Sequence, residues 1–393
     1  MISVTETSEQ PVWASPDNYP VKPETSPYGA LSSKGRVREF ESLAALAEHV
    51  RNSRESVEAV WRPQDRKMMP PEASVELIEP LRKRFADLAE EDGTDARRNT
   101  LVFSFLLLWA LYANLANRTM PTESVEVGLA GILLVILGFV PWYEAWRNRR
   151  SAMALDEQTL AGEEQEARFE RWLRGERSWC MWVLVVLLAV GGAVQVWVGL
   201  DVSVAAAGLD KEQYRGGEFY RLLTTPFLHG HPLHWALNAA GLWYLGRRVE
   251  VLAGWPHLAL VFLISILAGG VATAQFMPNQ SSVGASGGLL GLLGFLIVFE
   301  TLHSRLVPRP SRRRLGAALV ITFVIGFLGY RFIDNWAHGG GLVAGMFYGL
   351  IVFPKSRSAR RPRANRMDRF FGGVGLLVLA ASLGLGVILM LAL

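Results

Sequence analysis

Apolar residues collect in blocks long enough to cross a membrane, and these blocks constrain the fold more than any other feature. Half of the 393 residues are hydrophobic. A bilayer core requires about 20 helical residues, because only a helix or a closed barrel satisfies every backbone polar group inside lipid. Barrel strands, which alternate over about 10 residues, fit none of the blocks. The blocks lie at roughly 100–117, 126–146, 179–199, 233–253, 256–276, 285–303, 314–332, 336–353 and 371–393. The sequence therefore predicts an all-α polytopic membrane protein.

Basic residues cluster in alternate connections between these blocks. The clusters are Arg97-Arg98, Arg147 to Arg150, Arg247-Arg248, Arg305 to Arg314, and Lys355 to Arg366. If the spans alternate, all of them lie on one side, which the positive-inside rule assigns to the cytoplasm. We therefore expect a cytoplasmic N-terminus and an outside C-terminus. The first 30 residues contain no apolar signal core, so a bacterial cell (inner) membrane is the expected location.

The polar N-terminal part is predicted to lie outside the membrane. Residues 1–33 are rich in Pro, Ser, Thr and Glu, which predicts a disordered tail. Residues 34–96 predict a small soluble cytoplasmic α/β module, with helical spacing at 40–50 and 75–88 and strand alternation at 57–61. The module contains no active-site pattern, and we interpret it as a regulatory or interaction module with a cytoplasmic partner.

The remaining segments divide at the polar connections. Residues 97–178 are predicted to form an N-terminal transmembrane hairpin and a cytoplasmic linker. Residues 179–353 contain six apolar blocks, and residues 354–393 form a basic linker followed by one C-terminal transmembrane helix.

A serine and a histidine each begin a membrane-length block and are each followed by glycines. Ser286 lies in Gly284-Ala285-Ser286-Gly287, with Gly291 four residues beyond Gly287. A serine hydroxyl is a weak nucleophile that requires a neighbouring base. His338 precedes Gly341 and Gly345, which are four residues apart, and small residues at that spacing let membrane helices approach closely. Glycine spacing alone is typical of packing in many bundles, but together these residues indicate a nucleophile–base pair.

Two further polar residues could stabilise an oxyanion. His234 and Asn238 are four residues apart near the start of the fourth block, so they share one helix face. A neutral imidazole and an amide each offer a donor, and the backbone N–H of Ser286 offers another.

These motifs together resemble the rhomboid family of intramembrane serine proteases, over about residues 179–353. The Gly-x-Ser-Gly of the family matches Gly284 to Gly287, and its Ala-His-x-x-Gly-x-x-x-Gly matches Ala337 to Gly345. Its His-x-x-x-Asn matches His234 and Asn238. The resemblance implies a six-helix rhomboid-like core with two extra N-terminal spans and one extra C-terminal span.

The resemblance also implies an activity and its residues. Ser286 is the implied nucleophile and His338 the implied base of a dyad that needs neither cofactor nor metal. The implied partners are the lipid bilayer and transmembrane protein substrates, cleaved near the outer face, and not nucleic acid. The family's Trp-Arg in the first outer loop appears here as Tyr220-Arg221, so Arg221 is an implied structural residue of the loop.

Three alternatives remain open. The first is a rhomboid-like but catalytically silent binder of membrane proteins. The second is a metal-dependent membrane hydrolase, for which carboxylates in the spans are scarce. Its histidine ligands would come from His229, His231, His234, His257 and His303. The third is a transporter, for which Asp334 is the one acidic residue at the outer edge of the seventh block.

Overall fold

Helices form most of the molecule, as a computed structural model of the chain shows. The structure describes residues 10–53, 55–117, 120, 124–153, 157–277 and 281–392. Within these residues, five helices are long and apolar enough to cross a membrane, and the shorter helix Ser286–Leu302 is also apolar. The chain forms two compact units. The first contains Met1–Arg174, Pro308–Ser311 and Ile321–Phe332, and the second contains the rest.

The first unit contains a small antiparallel sheet. Strands β1 (Tyr28–Ser32), β2 (Val37–Phe40) and β3 (Val57–Trp61) lie in the order β2-β1-β3. Helix α1 (Leu43–Asn52) begins at Ser42, whose hydroxyl accepts the backbone N–H of Ala45. Its apolar face, which includes Leu46 and Val50, covers the sheet. These two residues form a core with Val60, Leu77 and Leu81.

The prediction of a disordered tail over residues 1–33 is wrong for residues 10–33; residues 1–9 lie outside the described part. The central strand β1 lies in this segment, and Trp13 and Tyr19 are buried. Trp61 of β3 packs over Gly29, where a Cβ would come within 2.0 Å of the indole. These long-range contacts order a segment whose composition alone favours disorder.

The predicted N-terminal module and the first apolar block share one helix. Helix α2 (Ile78–Ala116) runs for 39 residues without a break at the predicted boundary near residue 96. No proline follows its first turn, and the interior Gly93 costs the helix only about 1 kcal/mol. The chain returns through α3 (Val125–Leu133), a π-helical segment (Leu134–Phe139) and α4 (Val140–Met153), followed by α5 (Glu157–Gly175).

Glu72 gives the first unit a pH-dependent stability. Its Oε2 is buried without a hydrogen-bond partner among the described residues. Burial raises the pKa of Glu72 from 4.5 to about 7, and the charges of Glu163 and Glu164 add to the increase. Because the folded pKa lies above the unfolded one, the contribution of Glu72 to stability is expected to be most favourable below about pH 4.5 and to become less favourable as the pH rises towards 7.

Glu72→Gln is expected to remove this decline. Hydrogen exchange of the β3 amides in the full chain, compared between wild type and variant at each pH, measures it. Nearly equal protection of the two proteins at about pH 4 and a faster-exchanging wild type at about pH 8 are expected. The same difference at both pH values would contradict the assignment.

The second unit contains the helices of the predicted six-span core and the C-terminal helix. They are α6 (Trp179–Val198), α10 (Pro232–Ala253), α11 (Trp255–Phe276), α12 (Ser286–Leu302), α13 (Arg309–Leu328), α14 (Asn335–Val352) and α15 (Arg366–Leu391). Of α13, only residues 312–320 group with the second unit, whereas residues 309–311 and 321–328 group with the first. Helix α13 begins five residues before the predicted block at 314, because Pro310 in its first turn favours helix initiation there.

The connection between α6 and α10 contains three short helices. They are α7 (Leu200–Ala207), α8 (Lys211–Arg215) and α9 (Arg221–Thr224). Arg221 is buried, and its guanidinium donates to the carbonyl of Gly208 at 2.7 Å and to Glu218 Oε2 at 2.6 Å. Arg221 thus ties together the residues on both sides of α8.

A buried ion pair joins α10 and α12. Arg248 Nε lies 2.6 Å from Glu300 Oε1, and both side chains are only 1% exposed. Two such charges are stable in an apolar interior only when paired. The pair therefore fixes α12, which carries Ser286 at its opposite end, relative to α10.

Candidate active site

Ser286 begins α12 directly after a tight turn. Gly284 has φ +117°, a conformation that L side chains rarely adopt, and a Cβ there would lie 2.7 Å from the ring of His234. Glycine at this position therefore permits both the turn and the close approach of α10. The turn leaves the Ser286 hydroxyl at the helix N-terminus, where backbone N–H groups have no partner within the helix.

His338 lies in the first turn of α14 and contacts Ser286. Its Nε2 lies 2.8 Å from Ser286 Oγ. Asp334 caps this helix, because its Oδ1 accepts the backbone N–H of Ala337 at 2.9 Å. The backbone N–H of His338 donates to the Asp334 carbonyl at 3.1 Å, which fixes the imidazole-bearing residue in the helix. In the neutral form with an unprotonated Nε2, the serine hydroxyl donates to the imidazole, as general-base activation requires.

Glycines bring the two helices within backbone contact. A Cβ on Gly341 would lie 1.9 Å from the carbonyl oxygen of Gly287, and one on Gly345 would lie 1.9 Å from that of Gly291. Gly291 also has no room on another side, since its Cβ would lie 1.8 Å from Ser265 Oγ. The glycine spacing predicts a close approach of these helices, and α12 and α14 lie in backbone contact at Gly287 and Gly341 and at Gly291 and Gly345.

His234 and Asn238 lie on α10 beside the serine turn. The ring of His234 packs against Gly284. Asn238 is buried, and its Nδ2 donates to the His234 carbonyl at 2.8 Å. The amide carries two N–H groups, so it can donate a second hydrogen bond. Their role towards an oxyanion stays a prediction.

His229, which the sequence analysis named as a possible metal ligand, is a neighbour of the site. It is 1% exposed, and its ring centre lies 5.1 Å from that of His234. Its backbone N–H donates to Gln195 Oε1 at 2.7 Å, which links it to α6. The His-Gly-His-Pro turn before α10 was the available signal, but contact with His234 depends on the fold of the turn.

The histidines of the metal-dependent alternative do not gather in one place. His257 Nδ1 lies 2.8 Å from Tyr348 Oη, and His303 stacks on Phe299 with ring centres 4.3 Å apart. Within the described ranges, no group of three or more His, Cys, Asp or Glu side chains could hold a metal ion.

The apolar helices indicate an integral membrane protein, and a serine and a histidine lie in contact at the ends of two helices in its second unit. Residues 216–355 match the family model of the rhomboid domain. The chain thus contains a rhomboid domain over these residues.

Curated relatives match a little over a third of the chain. Inactive rhomboid protein 1 of Rattus norvegicus is 34% identical over 137 residues, which are 35% of this chain and 16% of the relative. The Homo sapiens protein of that name is 33% identical over the same length. RHOMBOID-like protein 6, mitochondrial, of Arabidopsis thaliana is 34% identical over 151 residues, 38% of this chain and 48% of the relative. The chain thus matches half or less of the length of each relative.

Proposed function

We propose that the protein is an intramembrane serine endopeptidase that cleaves transmembrane proteins near the outer membrane face. The observation that supports this most is the 2.8 Å contact between His338 Nε2 and Ser286 Oγ. Such a contact within hydrogen-bond reach is the geometry that a nucleophile and its general base require.

The reaction proceeds through an acyl-enzyme. His338 Nε2 takes the hydroxyl proton as Ser286 Oγ attacks the scissile carbonyl carbon, and the carbonyl oxygen becomes an oxyanion. The Ser286 backbone N–H and the side chains of His234 and Asn238 are the proposed donors to that oxyanion. The imidazolium then protonates the leaving amine as the C–N bond breaks. A water, deprotonated by His338, hydrolyses the ester and restores Ser286.

A substrate helix hides its own carbonyls, so the segment to be cleaved must first unwind. Glycine and proline lower the cost of unwinding by about 1 and 3 kcal/mol per residue relative to alanine. We therefore propose that substrates are transmembrane proteins with helix-breaking or small residues near one end of the span.

A catalytically silent membrane-protein binder is the second candidate, and the names of two matched relatives favour it. The two functions differ in one chemical property. A working dyad makes the Ser286 hydroxyl react with electrophiles, whereas a silent binder needs no such reactivity.

Labelling by a fluorophosphonate in lipid nanodiscs tests the proposal. We expect the probe to modify the wild type at Ser286 and to leave Ser286→Ala unlabelled. Ser281→Ala removes an exposed serine five residues earlier and is the matched control, which should be labelled like the wild type. A folded wild-type protein that takes up no probe would favour the silent binder.

A further inference from the structure

A polar network lies beside the dyad and centres on the carboxylate of Asp334. Its Oδ2 accepts from Thr273 Oγ1 at 2.6 Å and from Ser282 Oγ at 2.5 Å. Ser282 Oγ in turn accepts from Lys211 Nζ at 2.5 Å. The network thus runs from an ammonium through a hydroxyl to a carboxylate. Such charge-assisted hydrogen bonds are shorter and stronger than neutral ones.

The network joins segments that are distant in sequence. Lys211 belongs to α8, Thr273 to α11, and Ser282 to the segment that leads into α12. Lys211 and Thr273 are 2% and 1% exposed. A buried ammonium requires a compensating negative charge. Asp334 supplies one through Ser282, so electrostatic attraction stabilises the network in addition to packing.

The segment before Ser286 is anchored on its other side as well. The carbonyl of Ser282 accepts from Thr225 Oγ1 at 2.6 Å and from the backbone N–H of Leu209 at 3.1 Å. The backbone N–H of Gly284 donates to the Thr225 carbonyl at 3.1 Å. Ser282 therefore has a fixed position four residues before the nucleophile.

One carboxylate thus holds both halves of the dyad. Oδ1 of Asp334 caps the turn that carries His338, while Oδ2 holds the segment that leads to Ser286. We infer that Asp334, with Lys211 and Ser282, is a positioning residue that sets the distance between the Ser286 hydroxyl and the His338 imidazole. The inference rests on the proposed protease function.

The proposed role of the network is to set the geometry of the dyad and not to contact substrate. Its loss should therefore lower kcat and leave KM nearly unchanged. Displacing reacting groups by about 1 Å can cost about a hundredfold in rate. Asp334→Ala, which loses both oxygens, should lower kcat about a hundredfold and change KM by less than about twofold. Asp334→Asn keeps the cap and loses the charge. Ser282→Ala loses one bridging hydroxyl. For each of these two variants we expect a loss of about tenfold.

The measurement is kcat per active site, titrated by fluorophosphonate, with the full chain in nanodiscs and a membrane-anchored reporter. A fall in folded protein alone would reduce the number of titrated sites and leave kcat per site unchanged. The initial rate of fluorophosphonate labelling should fall by the same factors as kcat. Asp201→Asn, which removes an exposed carboxylate from α7, is the matched control and should behave like the wild type.

The outcomes separate the two proposals. An inactive, unlabelled wild type overturns the protease function and this inference with it. An active wild type whose Asp334→Ala and Ser282→Ala variants keep kcat per site within about twofold overturns the positioning role alone. If Asp334→Ala does not fold, Ser282→Ala and Asp334→Asn decide the question by the same criterion.

Discussion

Replacing His338 with alanine is expected to lower kcat for a membrane-anchored reporter by at least about a thousandfold, because dyad members act as a unit. The imidazole is the group within 2.8 Å of Ser286 Oγ, and without it no base takes the hydroxyl proton during attack. Quantitative immunoblotting of the cleaved reporter in liposomes, at equal amounts of folded enzyme, measures the effect.

His231→Asn is the matched control for the loss of an imidazole. His231 is exposed and caps α10 through Nδ1, which accepts the backbone N–H of Leu233 at 3.1 Å. Asparagine is also a good N-cap, so this variant should keep wild-type cleavage. Cleavage by His338→Ala at the rate of His231→Asn would refute the dyad.

Gly341→Ala is expected to cause the second large effect. The new Cβ would lie 1.9 Å from the backbone oxygen of Gly287, which no rotamer change can relieve. Helices α12 and α14 must therefore separate, and overpacking of this kind costs about 1–3 kcal/mol of stability. The separation also moves His338 away from Ser286, so we expect about a hundredfold loss of kcat.

Gly339→Ala provides a control in the same helix. A Cβ on Gly339 meets nothing within 4 Å, so this variant should keep activity and gain up to about 1 kcal/mol of helix propensity. Thermal unfolding in detergent and fluorophosphonate labelling of both variants measure the contrast. Equal melting temperatures and labelling would show that α12 and α14 do not depend on the contact.

The membrane helices were predictable because lipid imposes a length and a composition on each of them. Helix ends depend on local chemistry and were less predictable. The basic residues at 312–314 were assigned to a loop, yet they lie inside α13 because the helix begins at the preceding proline-containing turn. The short helices α7 to α9 were missed because none is long enough to show a hydrophobic period.

The order of residues 10–33 could not be derived from local sequence. Strand β1 is stabilised by pairing with β3 and by Trp61, which lies 32 residues further along the chain from Gly29. Two buried aromatic residues in a polar segment, Trp13 and Tyr19, were the available signal. The prediction of disorder instead followed the high content of Pro, Ser, Thr and Glu in residues 1–33.

Motif spacing identified the residues that face each other at the site but not the network behind them. Ser286 and His338 each precede glycines, and glycines at that spacing indicate that two membrane helices pack closely. Lys211, Ser282 and Asp334 carry no such pattern. Their proximity arises only when three connections of the second unit fold against one another.

The unbroken helix α2 has a mechanical consequence. At 1.5 Å per residue its 39 residues form a rod about 58 Å long, which is rooted in the sheet module at one end and extends through the first apolar block. A flexible break near residue 96 would let the sheet rotate independently of the first apolar block. A continuous helix couples the orientation of the two. A binding event that changes the orientation of the sheet formed by β1 to β3 would therefore also change the orientation of the apolar half of α2.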